Sequence, residues 1–230
     1  MGSALTSLPV MSRVLAPDLG PRPLLRGWSH LVAFPVWLVV GVAMIAITPS
    51  TGWGAVVLAI YVGGTGIMFG VSALYHRGRW QPQAKALMQR FDRSAIFLAI
   101  AGGQTPVVWV CLHGWARIAV LVTCWVGAIA GIVLHWLPSV PRPLRGASYI
   151  VVSWAALAVF PQLAHGLGAA GFALLLAGGA CYTIGAVSLA TRWPNPWPRV
   201  FGFHEVFHAF TIVAAALQFA AISYAVVPQL

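Results

Sequence analysis

Five residues of this chain have types and spacings suited to chemistry. His204 and His208 stand four apart, as do Ser72 and His76, and Asp92 lies between the two pairs in sequence. On a helix, positions i and i+4 share a face, so each pair projects from one side of its element. Three imidazoles and a carboxylate brought to one place make a zinc site. Neutral imidazole suits this borderline ion, and three histidines leave a fourth position for water. Zinc lowers the pKa of such a water to about 7, which makes a nucleophile available at neutral pH. In that arrangement His76, His204 and His208 are the Zn2+ ligands. Asp92 hydrogen-bonds the water or takes its proton, and Ser72 orients a ligand or polarises a substrate carbonyl.

Plainer readings exist for each residue. Asp92 could cap a helix or pair with Arg90 or Arg93, Ser72 could be a packing serine, and two histidines at a helix end could sit at an interface. The segment His204-Glu205-Val206-Phe207-His208 also matches the His-Glu-x-x-His protease pattern, in which the glutamate is the general base. Against that, an intramembrane metalloprotease usually supplies a carboxylate as its third ligand, a role that Asp92 could fill only awkwardly beside its own, and Glu205 could instead pair with an arginine. His30, His113, His135 and His165 fall at helix ends or loops and read as interfacial.

Composition says what must position these groups. Of 230 residues, 60% are hydrophobic and only 7% are charged, with a mean hydropathy of +0.87. A soluble domain carries roughly 25% charged residues, so most of this surface must face lipid. Seven apolar stretches have spanning length, at about 31–48, 53–76, 94–112, 115–137, 146–164, 168–190 and 203–227. Lipid cannot satisfy an open backbone, and these runs are too long and too uniformly apolar for barrel strands. The expected fold is therefore all-α: a polytopic seven-helix transmembrane domain over 31–227 behind an N-terminal tail, 1–30. That tail lacks a signal-peptide plan, since Pro17, Asp18, Pro21 and Pro23 interrupt any apolar core. Met1-Gly2 with Thr6 fits the loose myristoylation pattern, a short match. Cys111, Cys124 and Cys181 are isolated and read as buried thiols. Gly66 and Gly70, and Gly178, Gly179 and Gly185, mark faces where helices can approach closely, and Pro35 and Pro106 should kink their helices.

The charges give the orientation. With seven passes, twelve of the thirteen cations fall on one side of the membrane and only Arg117 on the other. The positive-inside rule then puts the N-terminus in the cytoplasm and the C-terminus outside. The formal net charge of +10 is thus a topology signal. No soluble module is left to carry a basic nucleic-acid-binding face. In this topology Ser72, His76, Asp92, His204 and His208 all share the cytoplasmic ends of their helices, and ionisable groups there are candidates for function.

Three motifs at these positions resemble the hemolysin III family, the bacterial branch of the progestin and adipoQ receptor family. They are Ser72-Ala73-Leu74-Tyr75-His76, Asp92-Arg93-Ser94-Ala95-Ile96 and His204-Glu205-Val206-Phe207-His208. Gly178-Gly179 with Tyr182-Thr183 and Gly185, and Ile100-Ala101-Gly102 with Thr105-Pro106, are similar as well, so the likeness runs from Arg26 to about Phe210. The resemblance implies a seven-helix bundle, N-terminus in and C-terminus out, with zinc held by His76, His204 and His208 and with Ser72 and Asp92 beside its water. It further implies a membrane-lipid partner, an acyl-chain substrate or product, and a zinc-dependent hydrolase of lipid amides or esters acting in membrane homeostasis. A non-enzymatic membrane sensor with a zinc site and a pore-forming cytolysin are the competing functions. Gly103 and Gln104 depart from the Thr and Tyr usual in the third-pass motif, which bears on the cavity lining.

Overall fold

The computed structural model describes residues 22–49 and 52–230, and all of its regular structure is helical. Residues 1–21, with Arg13, Asp18 and the myristoylation match, lie outside the described residues. The helices are α1 (Trp28–Ile47), α2 (Trp53–Arg77), α3 (Pro82–Cys111), α4 (Gly114–Trp136), α5 (Arg142–Trp154), α6 (Phe160–Thr191) and α7 (Phe203–Ala221). A short 3-10 segment, Ala155–Val159, joins α5 to α6, and a π turn with a terminal 3-10 turn follows α7. Pro35 and Pro106 lie inside α1 and α3 without ending either.

Two predicted boundaries move. The third pass was expected to begin near 94, but α3 starts at Pro82, where a proline suits the first helical position because its missing N–H has no partner to lose. Asp92 is thus an interior residue of α3, not a helix cap; the cap is Gln81. The other change concerns the expected fifth and sixth passes. Among the described residues six helical stretches are long and apolar enough to cross a membrane, and one of them is the continuous 50-residue run Arg142–Thr191. A straight helix of that length would measure about 75 Å, against a hydrocarbon core of about 30 Å. The run does not stay straight. Gly168 has φ 65° and ψ 172°, a conformation a residue with a side chain rarely adopts. Around it the chain folds back: Trp154 Nε1 donates to Thr183 Oγ1 at 3.1 Å across the turn.

Small residues bring the helices together as their positions suggested. A Cβ on Gly64 would lie 2.6 Å from the Leu98 carbonyl oxygen, and one on Gly102 would lie 2.9 Å from that of Ile60, so α2 and α3 touch backbone to backbone. Gly66 and Gly70 pack on Trp37 and Phe34 of α1. Gly178 and Gly185 face α7 at Ala214 and Phe210, and Gly179 receives the Trp154 ring. The core between these faces includes Leu58, Tyr61, Phe69, Val108, Leu163 and Ile222, all buried. The outer faces of α1 and α4 leave Val32, Val39, Ile118 and Ile129 exposed, as lipid contact requires.

Candidate metal centre

α2 and α7 carry the histidines at the cation-rich end of the bundle. The last turn of α2 buries Ser72 and His76. The first turn of α7 is fixed by Glu205, whose Oε2 accepts the Gly202 N–H at 2.8 Å, one of the orphan donors at the start of every helix. That turn presents His204 and His208 on one face. The geometry brings the expected set together: one ligand nitrogen from each of His76, His204 and His208 lies within 4.8 Å of the others. His204 Nε2 is 3.2 Å from His76 Nε2. Two nitrogens bound to one tetrahedral ion at 2.0–2.1 Å stand roughly 3.3 Å apart, so this pair already has ligand spacing. His208 is buried and its Nδ1 has no hydrogen-bond partner. A donor set of three imidazoles, two of them buried and one with an orphaned nitrogen, fits a zinc-type ion.

The other two expected residues face the same space. α3 packs along α2, and Ser72 and Asp92 both line one cavity. Asp92 lines the same cavity as His76, His204 and His208. This cavity, about 2250 Å³, extends from Arg90 and Arg199 at the cation-rich end, past the histidines, to Val108 and Leu163. The rise from Arg90 to Val108 along α3 is about 27 Å, close to the thickness of the hydrocarbon core. At the mouth, burial and the neighbouring guanidiniums of Arg26 and Arg77 hold the Arg22 pKa below its ordinary value.

The burial of His30 and of His135 escaped the sequence reading, whereas the pairing of Glu205 with an arginine was one of its alternatives. Glu205 pairs with Arg26, Nε to Oε1 at 2.5 Å, and its other oxygen accepts the Gly202 N–H, so both oxygens are engaged in structural contacts, which favours the arginine pairing over a protease-type base. His30 is not interfacial. It is 2% exposed and its ring stacks on that of His208. The signal for it was present: it opens an apolar helix at the same end as the other histidines. His135 is also buried; its Nδ1 lies 3.0 Å from the Gly131 carbonyl oxygen and its ring packs on Phe97 and Tyr149, a structural role. His113 contacts Arg117 at 2.9 Å just before α4, and His165 is exposed on α6. Gln104 donates to the carbonyls of Val152 and Ser153, tying α3 to α5, while Gly103 makes room for Gln218.

Apolar helices packed through glycines around a buried histidine cluster define an integral membrane protein with a candidate metal centre. The family described as Haemolysin-III related matches residues 21–219, and the chain belongs to it. The chain is 29% identical over 184 residues to Hemolysin-3 of Bacillus cereus, covering 78% of this chain and 79% of that protein. It is 26% identical over 196 residues to the Hemolysin-3 homolog of Bacillus subtilis (strain 168), covering 84% of this chain and 87% of the other.

Proposed function

We propose that this protein is a zinc-dependent hydrolase of lipid amide or ester bonds in the bacterial inner membrane. The observation that carries the reading is one cavity that joins the three-histidine cluster and Asp92 to a deep apolar end. His76, His204 and His208 would hold the zinc. When bound there, zinc supplies Lewis acidity toward a carbonyl and makes a water more acidic.

The chain's own residues do the rest. The apolar end of the cavity receives an acyl chain and so brings its carbonyl to the histidines. Asp92 takes a proton from the attacking water as the new C–O bond forms. It returns that proton to the departing amine or alcohol as the C–N or C–O bond breaks. Ser72, which lines the cavity with Asp92, would orient that carboxyl. Arginines at the mouth favour the carboxylate product by charge.

Seven passes accompany this reading, with the N-terminus in the cytoplasm and the C-terminus outside. The fold-back at Gly168, which divides the 50-residue run, supports that count. The test incubates purified protein with acyl-amide and acyl-ester lipids. Fatty-acid release by the zinc-loaded wild type, and not by Asp92→Asn, supports the reading; zinc-loaded wild type that releases none returns the site to a sensor role. The relatives' name, hemolysin, favours pore formation as a second reading. Liposome leakage that is indifferent to zinc removal would separate it from this chemistry.

A further inference from the structure

Four histidines, not three, meet at this centre. The rings of His30 and His208 are parallel within 5° and their centroids lie 3.9 Å apart. Imidazole nitrogens bind metals in the plane of their ring. Two parallel rings in face contact share no plane, so an ion held by His208 lies outside the plane of His30. His30 therefore cannot serve as a fourth ligand from this position. Phe69 also packs against it, edge to face with centroids 5.1 Å apart. Neither nitrogen of His30 makes a hydrogen bond of good geometry, and its ring packs against those of His208 and Phe69.

The backbone carrying His30 is fixed to the two elements that carry the other histidines. Leu24 and Leu25 donate their N–H groups to the carbonyls of Arg199 and Val200, at 3.0 and 3.1 Å, just before α7 begins. Arg26 pairs with Glu205 between the two α7 histidines. Gly27, at φ +79°, starts α1 against α2, where a Cβ would come within 2.5 Å of the His76 Cβ. Residues 24–30 thus touch both sides of the cluster, and the contact that reaches a ligand ring is the one made by His30.

We propose that His30 is a positioning residue of the metal centre, which fixes the plane of the His208 ring by stacking on its face. The inference rests on the metal reading above. A ring free to rotate about χ2 must be ordered when the ion binds, whereas a stacked ring is ordered beforehand; hydrogen-bonding groups that orient a metal ligand are typically worth about 10- to 100-fold in affinity, and the same scale is expected of stacking here.

The experiment titrates the full chain in detergent with Zn2+ against a competing chelator, and with Co2+ to follow its visible absorption. The proteins are wild type, H30A, H30F, H208A and the H30A/H208A double variant, each with its metal-free melting temperature. H30A should bind zinc about 10- to 100-fold more weakly and alter the cobalt band. H30F, which keeps an aromatic face, should restore most of the affinity. In the H208A background, loss of His30 should change nothing further, because there is no ring left to position. Affinity unchanged in H30A, failure of H30F to restore it while melting like wild type, or additive losses in the double variant would each overturn the proposal. Wild type that takes up neither metal ends the metal reading and this inference together. Wild type that binds metal with no regard to residue 30 ends only the inference.

Discussion

Replacing Glu205 by glutamine separates two roles for the His-Glu-x-x-His segment. The substitution keeps the shape and an oxygen able to accept the Gly202 N–H, but it removes the charge opposite Arg26. Glu205 is 2% exposed at its side chain and Arg26 is 11% exposed, so the guanidinium would be left largely desolvated without its partner. Breaking a fully buried pair from one side costs about 3–5 kcal/mol. Arg26 lies near the cation-rich mouth and keeps some access to water, so the lower part of that range, about 3 kcal/mol, is expected. For a chain of 150–250 residues each kcal/mol moves the melting temperature by about 2–4 °C, which gives a drop of roughly 6–12 °C. The double variant R26M/E205Q removes the stranded charge and should recover most of that drop. The assay is thermal unfolding of detergent-solubilised protein, paired with lipid hydrolysis measured well below the transition. A structural Glu205 gives lower stability, rescue in the double variant, and activity per folded molecule within a few-fold of wild type. If E205Q melts like wild type and yet abolishes hydrolysis, the ion-pair argument is refuted and Glu205 acts as a base.

Metal removal and replacement give the next outcomes. Wild type should retain close to one zinc per chain, and H76A, H204A and H208A should each lose it on dialysis, as read by elemental analysis. Asp92→Asn should keep its zinc while hydrolysis falls by about 10²–10⁴-fold, the usual worth of a general base. Gly64→Ala should destabilise the bundle by about 1–3 kcal/mol, since its methyl would meet the Leu98 carbonyl oxygen and push α2 from α3. A reporter at the C-terminus that is active only in the cytoplasm should stay silent, whereas a strong signal would remove the odd number of passes.

Much of this could be read from the sequence because lipid enforces a simple rule. A backbone in hydrocarbon must bond to itself, so long apolar runs had to be helices, and the boundaries of α1, α2 and α4 fall within three residues of expectation. The i, i+4 spacings were informative for the same reason: once the helices stood, Ser72 with His76 and His204 with His208 had to share faces. Two things were hidden. The first was the form of the break between the expected passes 146–164 and 168–190: the helical run is continuous there, and the turn is made by the backbone of Gly168, which composition does not report. The second was the partner of His30, whose place at the end of an apolar helix the sequence showed. A lone histidine beside Trp28 reads as an interfacial residue, and only the approach of α1 to α7 reveals the ring it faces.

That approach explains why the site lies at one end of the bundle. Within the membrane, apolar burial gives helices little reason to associate, and close packing through glycine takes over. Such packing fixes the separation of α2 and α3 at Gly64 and Gly102, yet it leaves the orientation of polar side chains open. Near the helix ends stronger restraints are available: an ion pair between Arg26 and Glu205, backbone hydrogen bonds from Leu24 and Leu25, and the first-turn bond from Gly202 to Glu205. Metal ligands need their rings held within a narrow range of angles. The end of the bundle is where this chain can supply that restraint, while its middle remains apolar and open enough for an acyl chain. On the proposed reading, chemistry at the rim and recognition at depth would both follow from one division of labour between polar and apolar packing.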